Sequence, residues 1–195
     1  MSALVGNLTI VSLPPDFQPG GFSCGHTRVD KYLAKYAAND ELAGVTRTYL
    51  VKNGDEMVAF VSVLCDAIWL EEQERPSDEQ GAPALKIGVM GVRKDLRGTK
   101  YEGRTIGEWL IDWVVGMARS IAKMAGLRYV TLDALPENTL VDWYARNGFK
   151  TNEGEVRKRK VWKQSQTENT RKKSVEETDI HQVPMRLDIL TQPEH

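Results

Sequence analysis

The sequence predicts an α/β protein, of the α+β type, in which helices cover the faces of a mixed sheet. The order of predicted elements along the 195 residues is β, α, β, β, β, α, β, α, β. Strands alternate with helices only in the second half of the chain, and this favours a mixed over an all-parallel sheet. The composition, 41% hydrophobic and 27% charged, is that of a globular chain, and we expect one compact domain over residues 1–195.

The first strand and the first helix are predicted near the start of the chain. The run Leu8–Leu13 alternates weakly between apolar and polar residues and is followed by two prolines, which is typical of a strand end. Thr27 lies three residues before Asp30, and this spacing resembles a capping box with Asp in place of Glu. Apolar residues at helical spacing follow, so we expect an amphipathic helix over residues 28–40.

A hairpin and a loop are predicted next. Thr46–Lys52 and Met57–Cys65 are two runs rich in β-forming residues, and Asn53-Gly54 between them indicates a tight turn. Residues 71–80 carry five acids and one arginine, and we expect them to form a solvent-exposed loop.

A long central helix is predicted in the second half of the chain. Ile87–Val92 is a short β run, and a basic, glycine-containing loop follows it and ends at Arg104. Apolar residues then recur at three- and four-residue steps until Gly126, which predicts a helix with one broad apolar face. These residues are Ile106, Trp109, Leu110, Trp113, Val114, Met117, Ile121 and Met124.

Three shorter elements complete the predicted fold. Tyr129–Leu132 and Val183–Leu190 are predicted strands. Asn138–Arg146 is a predicted helix, and Asn147-Gly148 is typical of a helix C-terminus.

A polar, basic insertion is predicted at about residues 150–180. Trp162 lies in it among the bases of residues 157–163, and such a mixture of stacking and phosphate-binding side chains is typical of nucleic-acid binding. The alternative is a solvated loop or strand edge, which the residues alone favour slightly.

Charge limits the classes of function. The formal net charge of −1 argues against indiscriminate coating of nucleic acid. The value averages two opposite patches, because residues 71–80 carry −4 (five acids, one base) and residues 150–173 carry +6 (nine bases, three acids). An RNA-linked substrate is therefore compatible with the composition.

Signals for export, membrane insertion and metal binding are absent from the sequence. No apolar run approaches the roughly 18 residues of a membrane span, and no Lys or Arg precedes Arg28, so we expect a cytoplasmic protein without a membrane partner. Cys24 and Cys65 are accordingly expected to be reduced thiols. The histidines lack metal-ligand spacing, and we expect no metal. They are His26, His181 and His195.

The loop before the central helix has features of an anion site. The first N–H groups of a helix are unsatisfied and its dipole favours negative charge, while Gly103 and Gly107 allow close approach of a ligand. Five bases surround them, namely Arg93, Lys94, Arg97, Lys100 and Arg104. Because the P-loop and dinucleotide patterns are missing, a phosphate-bearing ligand and a solvated basic loop fit equally well.

Five further segments have a recognisable order along the chain. They are Phe22-Ser23-Cys24-Gly25, Asp30-Lys31-Tyr32-Leu33, Gly44-Val45-Thr46-Arg47-Thr48-Tyr49-Leu50, Trp143-Tyr144 with Gly148-Phe149, and Val183-Pro184-Met185-Arg186-Leu187. Together with the strand, basic loop and helix they resemble the GNAT N-acetyltransferases. The resemblance is to the branch that includes toxins acetylating the amine of aminoacyl-tRNA. The family's loop pattern is Arg or Gln, two residues, Gly, one residue, and Gly or Ala; Gly107 fits it, whereas Glu102 and Thr105 depart from it.

The resemblance implies a GNAT fold and acetyl-CoA as co-substrate. The sheet would be mostly antiparallel and splayed where Ile87–Val92 and Tyr129–Leu132 diverge to admit the cofactor. The pantetheine arm would bind to backbone groups of the first of these strands, and the phosphates would bind to the basic loop. The implied cofactor residues are Met90, Gly91, Val92, Arg97, Lys100, Gly103, Arg104, Thr105, Ile106 and Gly107.

The resemblance also implies direct transfer of the acetyl group to a primary amine. Tyr144 matches the family's tyrosine by position and is the implied general acid for the CoA thiolate; a core aromatic is the alternative. Arg47 lies in a segment that, by resemblance, lines the acceptor side. Three acids compete as general base without a ranking: Asp133, Glu137 and Asp30. An α-amine acceptor, whose pKa is about 7.7–8.0, already has a neutral fraction at pH 7 that can react without a base.

Two alternatives accompany this interpretation. One is a toxin that acetylates aminoacyl-tRNA and is silenced by an antitoxin protein. The other is a GNAT-fold module that binds CoA without turnover, because Glu102 would place a carboxylate near a pyrophosphate. A homodimer is common in the family, and Cys24 with Gly25 is a structural signature of it.

Overall fold

The computed structural model describes residues 6–74, 81–169 and 182–191. In the segment 81–169, side chains are described up to residue 161. The strands are β1 (Leu8–Ser12), β2 (Arg47–Asn53), β3 (Glu56–Trp69), β4 (Gly81–Val92), β5 (Lys100–Tyr101), β6 (Arg104–Thr105), β7 (Tyr129–Ala134), β8 (Lys150–Thr151) and β9 (Val183–Asp188). The α-helices are α1 (Thr27–Lys35), α2 (Ala37–Leu42), α3 (Ile106–Ala122), α4 (Asn138–Arg146) and α5 (Glu153–Asn169).

Seven strands form one sheet in the order β1-β2-β3-β4-β7-β9-β8, and β5 pairs with β6 in a separate hairpin. Within the large sheet, β1/β2, β2/β3, β7/β9 and β8/β9 are antiparallel pairs. This confirms the predicted α+β class with a mixed, mostly antiparallel sheet. The predicted divergence of Ile87–Val92 from Tyr129–Leu132 stays a prediction.

The chain divides into two compact units. Unit 1 contains the described residues up to Leu64 together with Lys86–Met117, and unit 2 contains Cys65–Leu85 and the described residues from Ala118 onward. Strands β3 and β4 each contribute to both units. The expectation of a single domain stays a prediction.

The core of unit 1 joins α1 and α2 to the strands β2 and β3. Leu33, Ala37, Leu50 and Phe60 are buried in one cluster, and Phe22 meets Phe60 edge to face at 5.7 Å between ring centroids. Aromatic pairs prefer this geometry because the positive ring edge faces the negative ring face.

The core of unit 2 is built on β3, β4 and β7. Ile68, Leu70, Ala82, Ala84 and Tyr129 form its buried cluster. The Pro83 carbonyl accepts a hydrogen bond from the Arg128 N–H at 3.1 Å, so proline at this position costs β4 a donor and no acceptor.

Two sequence predictions about the helices were wrong. The helix expected over residues 28–40 is two helices, α1 and α2, which meet at Tyr36. For residues 157–163 of the insertion, the slightly favoured alternative was a solvated loop or strand edge, yet these residues lie in α5. Polar residues dominate the sequence of this helix, and without an apolar stripe it has no 3.6-residue period to detect. Residues 75–80, 170–181 and 192–195, including His181 and His195, lie outside the described residues.

Strand positions were predicted with better success. The hairpin of β2 and β3 is confirmed, with Asn53 opposite Glu56. Both β3 and β4 are longer than predicted, and the start of β4 was missed because Gly81 and Pro83 resemble a turn. The pair β5 and β6 was missed altogether.

Candidate functional site

The C-terminal end of β4 holds three of the predicted cofactor residues, Met90, Gly91 and Val92. A Cβ at Gly91 would lie 2.9 Å from the Phe60 ring, closer than Cβ atoms come to other groups in proteins, and 3.1 Å from Val29 Cγ1, which is a tight contact. Glycine at position 91 is therefore required by packing inside unit 1. Met90 and Val92 are half-buried.

The predicted phosphate loop ends in a β-hairpin. Lys100 pairs with Thr105 and Tyr101 with Arg104, which leaves Glu102 and Gly103 as the two turn residues. Both have positive φ, 49° at Glu102 and 81° at Gly103, as a type I′ turn requires. Gly103 thus serves the turn, and the backbone that leads into α3 is pinned by strand pairing.

The hairpin of β5 and β6 is anchored on α3. The Tyr101 ring meets the Trp109 ring at 5.4 Å and 90°, and the Arg104 guanidinium is ion-paired with Asp112 at 2.7 Å. The Tyr101 hydroxyl accepts a hydrogen bond from the Leu8 N–H at 3.3 Å. These contacts hold the basic loop over the first two turns of the helix.

The start of α3 is a capping box that was not predicted. The Thr105 N–H donates to Glu108 Oε2 at 2.8 Å, and the Glu108 N–H donates to Thr105 Oγ1 at 3.3 Å. The Ile106 N–H donates to the Thr99 carbonyl at 3.2 Å. The signal was present, because Thr105 and Glu108 have the S/T-x-x-E spacing directly before an apolar run.

The carboxylate of Glu108 is stabilised in its charged form. The bond from the Thr105 N–H, and secondarily the charges of Arg104 and Lys100, lower its pKa against a burial effect that raises it. Among the described residues, the backbone N–H of Gly107 is left without a partner at this helix start.

Two of the three bases predicted to contact CoA phosphates already bind other groups. The Arg97 guanidinium donates to the Cys24 carbonyl, and Arg104 is paired with Asp112 as described above. Lys100 is exposed on β5. Contact of all three with a phosphate stays a prediction.

Tyr144 lies on α4 in the core of unit 2 and is 9% exposed. Its ring meets Phe149 at 5.7 Å and Trp143 at 4.9 Å between centroids, both edge to face. Burial raises the pKa of its hydroxyl to about 12. The phenol is therefore fully protonated at neutral pH, and its ring also does the packing work of a core aromatic.

Arg47, the predicted acceptor-side residue, begins β2 with its side chain 65% exposed. Its guanidinium is ion-paired with Glu41 at 2.7 Å, and the other carboxylate oxygen of Glu41 accepts from the Thr48 N–H at 2.7 Å. Glu41 thereby fixes the entry into β2 and orients Arg47.

The three acids considered as general base have different surroundings. Asp30 Oδ2 accepts from Ser23 Oγ at 2.7 Å, and its Oδ1 accepts from the Cys24 N–H at 2.8 Å. Asp133 is ion-paired with Arg159 at 2.8 Å. Glu137 is exposed at the start of α4. Asp30 and Asp133 are thus committed to structural partners.

The cysteines are free thiols, as predicted. Burial, followed by the hydrogen bond with Asp30, raises the pKa of the Cys24 thiol to about 11. Because the thiolate is the nucleophile, such a thiol is inert, in agreement with the structural role expected for Cys24.

The first two turns of helix α5 pack against the rest of unit 2. A Cβ at Gly154 would lie 2.7 Å from the Trp69 carbonyl oxygen, and the Trp69 N–H donates to Glu155 at 3.5 Å. Arg157 is ion-paired with Glu71 at 3.1 Å yet remains 75% exposed. The exposed face of the helix also carries Lys158 and Lys160.

A cavity of about 510 Å³ lies in unit 1 between the loop that follows β1 and the hairpin of β2 and β3. Arg93 lines it, with its guanidinium paired to Glu56 at 3.1 Å and Asp95 at 2.8 Å. The residues that line this cavity do not include the predicted cofactor residues.

In the part of the chain that the structure describes, no group of His, Cys, Asp or Glu side chains is placed to hold a metal ion. None of the helices in that part is both long and apolar enough to cross a membrane.

The sheet order and the helices that flank it define a GNAT-type fold. Solved structures with this fold include a tyrosine-to-phenylalanine variant of KacT. It is 16% identical to this chain, with a TM-score of 0.69, over 95% of this chain and 96% of that one. AtaTR bound with acetyl-CoA is 13% identical, with a TM-score of 0.65, over 94% of each chain.

A third similar structure is AtaT complexed with acetyl-methionyl-tRNAfMet, at 16% identity and a TM-score of 0.62, over 74% of this chain and 88% of that one. No family model and no curated protein sequence matches the chain. At these identities the likeness establishes the fold, as the resemblance of the sequence segments implied.

Proposed function

We propose that this chain is an N-acetyltransferase that transfers the acetyl group of acetyl-CoA to an amine. The observation that carries the proposal is the extent of the shared fold, which covers 94% of this chain in the comparison with an acetyl-CoA complex. The basic hairpin over α3 supports it, because Lys100 and Arg104 flank a helix N-terminus that favours anions.

The proposed reaction is a direct displacement. The neutral amine attacks the thioester carbonyl, the new C–N bond forms, and the C–S bond breaks as CoA leaves as a thiolate. The Tyr144 hydroxyl donates a proton to that thiolate, and the tyrosinate regains one from the nitrogen that has become cationic. Since a thiol has a pKa of about 8.5 and that of Tyr144 is raised to about 12, this second transfer must accompany the first.

The exchange of Tyr144 for Phe tests the proposed acid. The ring contacts with Phe149 and Trp143 are kept while the hydroxyl is removed, so we expect kcat to fall by about 10²–10⁴-fold. The affinity for acetyl-CoA and the melting temperature should stay unchanged. Tyr129→Phe is the matched control, because it removes another buried hydroxyl from the same unit. A Tyr144→Phe enzyme with the kcat of the parent would assign the residue to packing alone.

The acceptor that the observations favour is the α-amine of an aminoacyl-tRNA. AtaT has been solved with an acetylated aminoacyl-tRNA, and the exposed bases of α5 offer this chain a surface for a phosphate backbone. Roughly a tenth to a sixth of an α-amine is neutral at pH 7, given its pKa of about 7.7–8.0. This neutral fraction can attack without a general base, which suits a chain whose Asp30 and Asp133 are held by structural partners.

Transfer of label identifies the acceptor. The protein is incubated with cell lysate and isotopically labelled acetyl-CoA, and mass spectrometry follows the label into RNA, protein and small amines. We expect label on aminoacyl-tRNA, lost in Tyr144→Phe. Label on protein lysines or small amines alone would contradict the RNA acceptor while keeping the acetyltransferase.

In the cell, we propose that this acetyltransferase is a toxin controlled by an antitoxin protein. AtaT has been solved with the antitoxin AtaR, and KacTA has been solved with DNA. Expression of this chain should arrest growth and Tyr144→Phe should not; equal growth of both strains would contradict it. Tight calorimetric binding of acetyl-CoA without transfer to any amine would instead favour a CoA-binding module.

A further inference from the structure

The N-terminus of α3 carries its own anion. We propose that the Glu108 carboxylate competes with the cofactor phosphates for the Thr105 N–H at the start of α3, so that binding of acetyl-CoA must displace it. The inference rests on the proposed function, and it assigns to Glu108 a role in setting cofactor affinity.

The geometry supplies the first argument. Thr105 occupies the position at which the GNAT loop pattern has its first glycine, and its N–H is bound to Glu108 Oε2 at 2.8 Å. The next donor, the Ile106 N–H, is bound to the Thr99 carbonyl at 3.2 Å. A phosphate oxygen that accepts from Thr105 must therefore take the place of a carboxylate oxygen.

The charge supplies the second argument. The carboxylate and the pyrophosphate are both negatively charged. Both would lie at the N-terminal end of α3, where the helix dipole stabilises negative charge, so each excludes the other from the same position. Lys100 and Arg104 lower the energy of the Glu108 carboxylate through their charges. If the phosphates displace it, the positive charges of the same two bases stabilise the phosphates instead, and the hairpin then serves two alternative anions.

The hairpin of β5 and β6 fixes the position of the Thr105 N–H to which Glu108 binds. Strand pairing of Lys100 with Thr105 and the type I′ turn at Glu102 and Gly103 hold the Thr105 N–H in place. The Arg104–Asp112 pair at 2.7 Å fixes the same segment to the second turn of α3. The exchange therefore needs a rotation of the Glu108 side chain and no movement of the backbone.

Calorimetric titration with acetyl-CoA tests the proposal. Glu108→Gln keeps the length of the side chain and an oxygen for the Thr105 N–H, but it removes the charge. We expect acetyl-CoA to bind at least about fivefold more tightly to this variant, the factor that corresponds to about 1 kcal/mol for two charges near 4 Å in water. S-acetylpantetheine, which lacks the pyrophosphate, should show no gain.

Two controls keep the result specific. Asp16→Asn removes an equal charge from an exposed position of the same unit and should leave the dissociation constant unchanged. A thermal melt of Glu108→Gln reports any loss of helix stability separately. Equal or weaker binding of acetyl-CoA by Glu108→Gln, or an equal gain for S-acetylpantetheine, overturns this inference alone. Failure of all variants, including the parent, to bind acetyl-CoA overturns the proposed function and this inference with it.

Discussion

The starts of α1 and α3 have nearly the same sequence pattern and use it in different ways. Each has a threonine followed three residues later by an acid, Thr27 with Asp30 and Thr105 with Glu108. In α3 the Glu108 carboxylate accepts a hydrogen bond from the Thr105 N–H at 2.8 Å. In α1 the helix is capped at His26 without a side-chain bond, and Asp30 binds Ser23 Oγ and the Cys24 N–H instead.

The difference shows that a capping pattern predicts a local bond only where the preceding chain leaves the acid free. Before α3 comes a strand, whose end already places Thr105 beside the helix. Before α1 comes an irregular loop, whose own N–H and hydroxyl need an acceptor once Cys24 is buried. The shorter Asp30 side chain then stabilises the loop, and the longer Glu108 side chain stabilises its own helix.

Removing Asp30 should have the largest effect on stability. Asp30→Ala leaves the Cys24 N–H and the Ser23 hydroxyl without their charged acceptor. We expect a loss of about 2–3 kcal/mol in the free energy of unfolding, as for hydrogen bonds to charged groups. Urea unfolding followed by circular dichroism measures it. Ser23→Ala removes one of the two bonds and should cost less; an equal cost for both would contradict a carboxylate that joins two partners.

Breaking the capping box of α3 should have an intermediate effect. Thr105→Ala removes the hydroxyl that accepts from the Glu108 N–H at 3.3 Å. A loss of about 1 kcal/mol is expected, the usual value for an N-cap threonine. Hydrogen exchange of the first-turn amides of α3 locates the change. Unaltered protection of the Glu108 amide would show that the bond contributes nothing in solution.

Patterns of apolar residues predicted most of this fold, whereas the electrostatic details of the site were beyond them. The periodic run from Ile106 and the β2–β3 hairpin at Asn53 were found because buried faces impose a period. Helix α5 was missed because charged contacts such as Arg157 with Glu71 hold it, and these contacts have no period. Likewise, the five bases before α3 fitted an anion site and a solvated loop equally well, because the partners of Arg97 and Arg104 depend on tertiary neighbours.

The stabilisation by Asp30 should also depend on pH. For Asp30, burial raises the pKa, but the bonds from Cys24 and Ser23 outweigh it and lower the pKa. A lowered pKa in the folded state means that the stabilisation is complete above the usual value of about 3.9 and is lost as pH falls through the lower folded value. The stability difference between the parent and Asp30→Ala should therefore shrink only below about pH 4. Urea titrations from about pH 6 to about pH 3 measure it. A difference already lost at pH 5 would contradict the lowered pKa.

Thr27 offers the sharpest contrast with Thr105 because the expected effect is nearly zero. Its side chain is exposed, and within the described residues its hydroxyl has no hydrogen-bond partner. Thr27→Ala should change the free energy of unfolding by less than about 0.5 kcal/mol, and the sign should favour alanine because of its higher helix propensity. Paired urea titrations of Thr27→Ala and Thr105→Ala compare the two helix starts directly. Equal destabilisation by the two exchanges would mean that α1 is capped by its threonine after all, and that Asp30 is shared between the loop and the helix.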